Sequence, residues 1–253
     1  MNLKFKKIKK FLLDLFFPSF CVGCGDEGSL ICLKCQKQII TVQTPICPEC
    51  NKLSEEGRYC QRCGKDKALE GIMVAAYYEE GPVKEMIHNF KYNHALELKK
   101  VLSNLLVLAY RCHCDPPAGG EAIYHRSPRP LARDDNIIVT FTPLHRRRLA
   151  ERGFNQAEIL AEETSKKLKL PCYDTLIKTR STKRQVGLTG DARRQNLAGV
   201  YKVNKVCKVE SLRGKKILIV DDITTTGTTL NECAKVLKAK GAKEIWGLVV
   251  ARG

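Results

Sequence analysis

The sequence predicts an α/β protein, a parallel sheet flanked by helices over residues 71–253, preceded by a metal-thiolate module over residues 19–67. Three observations predict it. From residue 71 onward, apolar runs of strand length alternate with stretches of helical spacing. One such run, Ile217–Val220, leads into two acids and a threonine–glycine loop that opens a helix. Eight of the 13 cysteines fall within residues 21–63 as four Cys-x-x-Cys pairs.

Composition sets the outer bounds. A chain of 253 residues holds one large or two modest domains. Its formal net charge is +17; residues 1–70 carry 12 basic and 8 acidic side chains (+4), which leaves +13 on the rest. That excess favours a polyanionic partner, a phosphorylated small molecule or nucleic acid, over the plain alternative of a soluble basic surface. No apolar run approaches the ~18–20 residues a membrane span needs. Near the start, five lysines (Lys4, Lys6, Lys7, Lys9, Lys10) precede Phe11–Phe17 in imitation of a signal peptide. Asp14 interrupts the stretch and no small-residue cleavage site follows it. Ile8, Phe11, Leu12, Leu15 and Phe16 instead share one helical face, so residues 1–18 are expected to form an amphipathic helix ended by Pro18 and packed on the protein. Membrane-surface contact is the alternative.

Each Cys-x-x-Cys grips a metal through two thiolates, and two such knuckles complete a tetrahedral site. Cys21, Cys24, Cys32 and Cys35 have a seven-residue spacer between their pairs; Cys47, Cys50, Cys60 and Cys63 have a nine-residue one. Two four-cysteine zinc sites follow, with sequential and interleaved pairing both compatible with the spacing. Four protein thiolates leave no open position, so the zinc is structural. Metal thiolates and an odd cysteine count indicate a reducing, cytoplasmic setting. Two zinc tetrathiolates at −2 each cancel the +4 of residues 1–70, which makes the module a poor nucleic-acid clamp. Chelation is expected to unfold residues 19–67 and leave the larger domain mostly folded.

The elements then run in order. Ile72–Tyr78 reads as a strand and Gly81-Pro82 as a turn. Val83, Met86, Ile87 and Phe90 mark one helix, and Leu98, Val101, Leu102, Leu105 and Leu106 a second. His88 and His94 are expected at the surface or at caps. Residues 112–135, rich in proline and glycine, read as an insertion or mobile loop, with Cys112-His113-Cys114 as incidental residues at its start. Ile137–Phe141 is a strand that runs into Thr142, Pro143, Leu144 and His145, followed by a helix through Leu168. Arg146, Arg147, Arg148 and Arg152 at the carboxyl end of that strand form an anion site; the plain alternative is a solvated charged face. Thr175–Lys178, Val200–Val203, Lys216–Val220 and Glu244–Val250 supply further strands, with a helix over Thr228–Ala239. Alternation of this kind implies one parallel sheet. The basic loop over residues 179–199, with Arg180, Lys183, Arg184, Arg193 and Arg194 against Asp191 alone, reads as a lid beside the anion site, or else as a disordered surface loop.

Residues 217–229 organise the rest. Strand, loop and helix N-terminus aim backbone N–H groups and the positive end of a helix dipole into one volume, which suits a phosphate. Gly227 permits close approach, while Thr225, Thr226, Thr228 and Thr229 add hydroxyls. Asp221 and Asp222 sit where ligands bind in open α/β sheets and suit sugar hydroxyls or Mg²⁺ waters. Phosphate and diol recognition side by side describes a ribose-5-phosphate site. The loop lacks the lysine of the G-x-x-x-x-G-K-[ST] motif.

This stretch resembles the phosphoribosyl pyrophosphate (PRPP) motif of type I phosphoribosyltransferases: four apolar residues, two acids, then a Thr-Gly-x-Thr loop. The wider series resembles the ComF (competence protein F) family over nearly the whole chain. It comprises the Cys-x-x-Cys pairs, Lys91-Tyr92, Pro143–Arg148, Arg152–Gln156, Gln185 with Gly187-Leu188, Arg193–Asn196 and the PRPP motif. The resemblance implies a type I phosphoribosyltransferase fold with an N-terminal double zinc ribbon and a part in DNA uptake during natural transformation. It places Asp221 and Asp222 at the ribose hydroxyls and Mg²⁺ shell, and Thr225, Thr226, Gly227, Thr228 and Thr229 at the 5′-phosphate. Pro143, Leu144, His145 and Arg146 become the pyrophosphate loop, with Arg147, Arg148 and Arg152 beside it, and residues 179–199 become a flexible hood that brings Arg180 and Arg193 to the reaction.

Relatives usually read Val-Pro-Val-Pro-Leu-His where this chain has Thr140-Phe141-Thr142-Pro143-Leu144-His145, and the 112–135 insertion is unusual. Position 2 is Asn2, and residues 19–63 hold zinc ligands, so the cysteine nucleophile of a glutaminase is missing and glutamine-dependent amination is not expected. The expected function is therefore a phosphoribosyltransferase using Mg²⁺–PRPP with an acceptor the sequence does not name. The rival class is a DNA-uptake accessory protein that binds PRPP or single-stranded DNA without turnover, alongside other DNA-uptake proteins. Few aromatics lie among the arginines, chiefly Phe154, so base stacking is expected to be weak.

Overall fold

The computed structural model describes residues 19–42, 44–79, 81–114, 136–181, 199–205 and 212–253. The expected 1–18 helix, residues 115–135 of the insertion and Arg193 with most of the hood lie outside these residues. Six strands are described: β1 (Gly71–Tyr77), β2 (Ile137–Phe141), β3 (Leu176–Lys178), β4 (Tyr201–Val203), β5 (Lys216–Thr224) and β6 (Glu244–Arg252). The described α-helices are α1 (Leu33–Lys37), α2 (Gln61–Gly64), α3 (Val83–Tyr92), α4 (Lys99–Cys114), α5 (Arg146–Arg152), α6 (Gln156–Leu168) and α7 (Thr228–Lys238).

The main sheet is parallel in the order β1-β6-β5-β2. Its strands are apolar on both faces because helices cover both. Leu218, Val220, Trp246, Leu248 and Val139 pack with Phe90 of α3, Leu102 and Leu106 of α4 and Leu160 of α6. Ile217, Ile219, Ile245, Val249 and Ile138 pack on the opposite face with Leu230, Cys233, Ala234 and Leu237 of α7. The period-2 alternation of β5 thus divides one unbroken aliphatic run between two cores.

Four local readings need correction. β3 and β4 do not join the parallel sheet; they pair antiparallel with each other, Lys178 opposite Tyr201. The reason lies in the loop they bracket: antiparallel pairing sets its two ends side by side, and Thr179 N–H donates to the Val200 carbonyl at 2.9 Å. β5 runs on through Thr224, because β6 keeps pairing beyond Val220, with Asp221 opposite Val249 and Thr224 opposite Arg252. The helix after β2 is two helices, broken where Gly153 adopts φ +78°. Residues 112–114 continue α4 and do not begin a loop.

The zinc module is built into this core. Residues 40–42 run along β1, with Val42 N–H donating to the Ala75 carbonyl (3.1 Å), Tyr77 N–H donating to the Ile40 carbonyl (3.2 Å) and Thr41 bridging Ala76 antiparallel. Cys21, Ile31 and Cys35 join the core on one sheet face, while Cys47, Tyr59 and Leu69 join the other. Module and sheet therefore share both cores, against the expectation that residues 19–67 unfold alone.

Candidate active site

Both acids of the PRPP-like motif lie within β5. Asp222 is 6% exposed. Its carboxylate meets the Lys91 ammonium, from the last turn of α3, at 2.7 Å. Burial pulls the Lys91 pKa down, but the carboxylates of Asp222 and then Asp221 outweigh that and raise it. Asp221, half-buried, accepts the Asp222 N–H at 2.9 Å. Burial first, and then the neighbouring Asp222 charge, push its carboxyl up to about 7, while Lys91 and a hydrogen bond from the Thr142 hydroxyl work the other way. Thr140 shares a buried hydroxyl–hydroxyl bond of 2.7 Å with Thr175, so the buried hydroxyls of Thr140 and Thr142 both have polar partners.

The loop after β5 reaches the N-terminus of α7. Gly227, at φ +73°, is the residue before the first helical turn. Its N–H donates to Thr224 Oγ1 at 3.1 Å, and the hydroxyls of Thr226 and Thr228 meet at 2.7 Å. Thr225 and Thr226 are exposed, Thr228 and Thr229 half-buried, and Thr229 hydrogen-bonds Tyr201. This is a helix N-terminus with a close-approach glycine and hydroxyl groups around it, fit for a phosphate. A methyl at Gly227 would lie 2.6 Å from Tyr59 Oη and 2.7 Å from Ile72 Cδ1 at a left-handed φ. Gly227→Ala is expected to lower stability by about 2–3 kcal/mol in denaturant titration. A loss below ~0.5 kcal/mol, the size of an ordinary surface change, would show that the loop rebuilds freely.

Across the carboxyl end of β2, Thr142 N–H donates to the Val220 carbonyl (3.1 Å), and Asn155 Nδ2 donates to the Thr142 carbonyl (3.1 Å). Asn155 also caps α6. Pro143, Leu144 and His145, all half-buried, link β2 to α5, and His145 Nδ1 caps that helix by accepting Arg147 N–H at 3.3 Å. The arginines divide. Arg152 donates to Gln156 Oε1 (3.1 Å) and Tyr92 Oη (3.0 Å), and its guanidinium lies 4.8 Å from the Tyr92 ring centroid. Gln156 in turn reaches the Lys91 carbonyl at 3.5 Å. Arg148 is near enough to Lys178 to add to the burial that lowers the Lys178 pKa, while Asp221 opposes both. Arg147 pairs with Glu151 on the exposed face of α5 at 3.2 Å. Arg146 is exposed, and Arg180 is exposed just past β3.

Lys91, Tyr92, Thr142, Gln156 and Lys178 thus join a site for which sequence reasoning named the acids, the threonine–glycine loop, Pro143–His145 and the arginines. Lys91-Tyr92 and Gln156 stand in the family-like motif series, which was the signal available. Nothing in spacing, however, shows that Lys91 meets an acid 131 positions away. Aromatic groups are also richer here than the sequence suggests. His88 stacks near Tyr92 (5.0 Å), and His94 near Phe154 (5.5 Å), beside Arg152.

The cysteines form sequential quartets. The Sγ atoms of Cys21, Cys24, Cys32 and Cys35 lie within 4.8 Å of one another, as do those of Cys47, Cys50, Cys60 and Cys63. Backbone amides point at the sulfurs: Cys32 N–H to Cys21 Sγ at 3.3 Å, Cys60 N–H to Cys47 Sγ at 3.4 Å. Burial resists ionisation of Cys21 and Cys47, yet such donors bring both thiols down to about 6. Eight convergent thiols with N–H···S support fit two tetrahedral Zn²⁺ ions.

Two family models match the chain, the phosphoribosyl transferase domain over residues 155–253 and the double zinc ribbon domain over residues 12–64. The molecule is thus a phosphoribosyltransferase-fold protein carrying an N-terminal double zinc ribbon. It is 32% identical over 249 residues to competence protein F of Haemophilus influenzae, covering 93% of this chain and 99% of that one. Similarity extends to the DNA utilization protein YhgH of Escherichia coli O157:H7 (30% over 243 residues, 92% and 98% of the chains). Competence protein ComFC of Bacillus subtilis is 24% identical over 217 residues, 83% and 79% of the chains. The chain belongs to the competence protein F family. No helix among the described residues is long and apolar enough to cross a membrane.

Proposed function

We propose that this protein binds Mg²⁺–PRPP and transfers its phosphoribosyl group to an acceptor in the handling of incoming DNA. The observation that carries the reading is the meeting, at the carboxyl ends of β2 and β5, of two strand-borne acids, a buried ammonium and a glycine–threonine loop at a helix N-terminus. The names of the relatives, competence and DNA utilization proteins, support the setting.

In this reading residues 225–229 hold the 5′-phosphate, and Asp221 and Asp222 take the ribose hydroxyls. Their carboxylate oxygens at a strand end also fit the water shell of Mg²⁺, which when bound neutralises pyrophosphate charge. Arg148 and Arg152 face the pyrophosphate as the bond from C1′ to its oxygen breaks, with Arg146 exposed at the start of the same short helix. The acceptor forms its bond at C1′, and the electron pair leaves with pyrophosphate. Calorimetry is expected to show PRPP binding with Mg²⁺ present and at least tenfold weaker binding to Asp222→Asn, which loses one charged acceptor. Pyrophosphate release across a panel of bases and DNA then identifies the acceptor. Absence of PRPP binding to the wild type overturns the reading.

A second reading, single-stranded DNA binding without turnover, is favoured by the Arg152–Tyr92 stack and its neighbours His88, His94 and Phe154. Neutralising Z phosphates predicts a slope of roughly −0.7Z in log affinity against log salt. Tyr92→Ala is expected to weaken DNA binding about tenfold, the scale of one lost stacking contact. PRPP is expected to compete for Arg146–Arg148. Binding that is indifferent to both salt and PRPP would place DNA on another surface.

A further inference from the structure

The second four-cysteine site lies directly under the phosphate loop. Arg252, at the end of β6, donates from one guanidinium nitrogen to the Pro48 carbonyl inside the Cys47–Cys50 knuckle (2.7 Å) and from Nε to the Thr225 carbonyl (3.2 Å). One side chain therefore ties the metal knuckle to the loop backbone. Tyr59, which precedes the ligand Cys60, is 9% exposed and packs against Gly227 closely enough to exclude a methyl group there. Its hydroxyl is buried without a hydrogen-bond partner among the described residues, so contact with the loop is what this ring contributes. A third tie runs from the segment after Cys63: Ala68 and Leu69 N–H groups donate to Asn231 Oδ1 in the first turns of α7, at 3.0 and 3.3 Å. The first four-cysteine site shows no such connection among the described residues; its knuckles contact Pro82 and the core around Ala76 and Val83.

We propose that the second four-cysteine site acts as a brace for the phosphate loop. Arg252 and Tyr59 are positioning residues that transmit its metal-bound geometry to residues 224–231. Loss of metal from Cys47, Cys50, Cys60 and Cys63 then loosens the loop and weakens the hold on a phosphorylated ligand, while loss from Cys21, Cys24, Cys32 and Cys35 does not. The ligand part rests on the PRPP reading above; the brace itself does not.

Amide hydrogen exchange over residues 224–231 of the full chain tests it. Cys60→Ser is expected to accelerate exchange there at least tenfold, and Cys32→Ser to leave it unchanged, with one zinc retained in each. Arg252→Ala keeps both zinc ions, which guards against a Cys60→Ser variant that does not fold. It is expected to accelerate the same amides and weaken PRPP binding about tenfold, with Arg252→Lys restoring part of both. Unchanged exchange in Arg252→Ala, or equal acceleration by both cysteine variants, overturns the brace. A wild type that fails to bind PRPP overturns the proposed function instead, and the exchange data still decide the brace.

Discussion

Replacing Lys91 with methionine is expected to cost about 3–5 kcal/mol of folding free energy, because Asp222 is left as an unpaired charge in a nearly dry site. The two side chains are only 16% and 8% exposed, so solvent screens the pair poorly. The double variant Lys91→Met, Asp222→Leu is expected to recover most of the loss, since the ion pair as a whole adds little beyond well-packed apolar groups. Urea titration of wild type and both variants measures this. A single-variant loss under ~1 kcal/mol would put the pair in the class of surface salt bridges and mean that water reaches Asp222. Lys91 also bears on the ligand. It already occupies the Asp222 carboxylate, so under the proposed function a bound ribose diol would share Asp222 with it.

Removing both zinc ions together is expected to unfold the sheet along with the ribbon. Structural zinc contributes roughly 10–16 kcal/mol per site in small peptides, against roughly 5–15 kcal/mol for the stability of an entire domain. The cores are shared, with Cys35 beside Ala76 and Val83 on one face and Cys47 and Tyr59 beside Ile72 and Leu230 on the other. Trp246, the sole tryptophan, reports on this directly, because Arg58 of the second ribbon stacks 4.7 Å from its ring centroid. Strong chelation is expected to shift Trp246 emission to that of an exposed indole, in step with zinc release. An unchanged Trp246 signal in zinc-free protein would show that the ribbon detaches from an intact sheet.

Much of the fold was legible because its signals are local. Ile217–Val220 is aliphatic at every position, which suits a strand covered on both faces, and Gly227 with its threonines marks a loop before a helix. The cysteine quartets were legible as ligands, while their pairing emerged only from three-dimensional proximity, since spacers of seven and nine residues allow either arrangement. The direction of β3 and β4 was not legible. Each has three residues, too few for a pattern, and their pairing is a contact between segments more than twenty positions apart. The Lys91–Asp222 contact was likewise invisible, because it depends on how α3 packs over the end of β5. The arginine run could be read as an anion site, yet not that Arg147 spends its charge on Glu151 while Arg152 lies over Tyr92.

The strand order leaves β1 at one end of the sheet, and residues 40–42 of the ribbon lie along it. An uncovered outer strand presents a row of unmet amide and carbonyl groups that another chain can add to. Here the segment that follows the first zinc knuckles covers that row, with Thr41 seated against Ala76. Metal supply thus becomes a determinant of solubility as well as of folding: molecules made without zinc would expose a sticky border and recruit one another strand to strand.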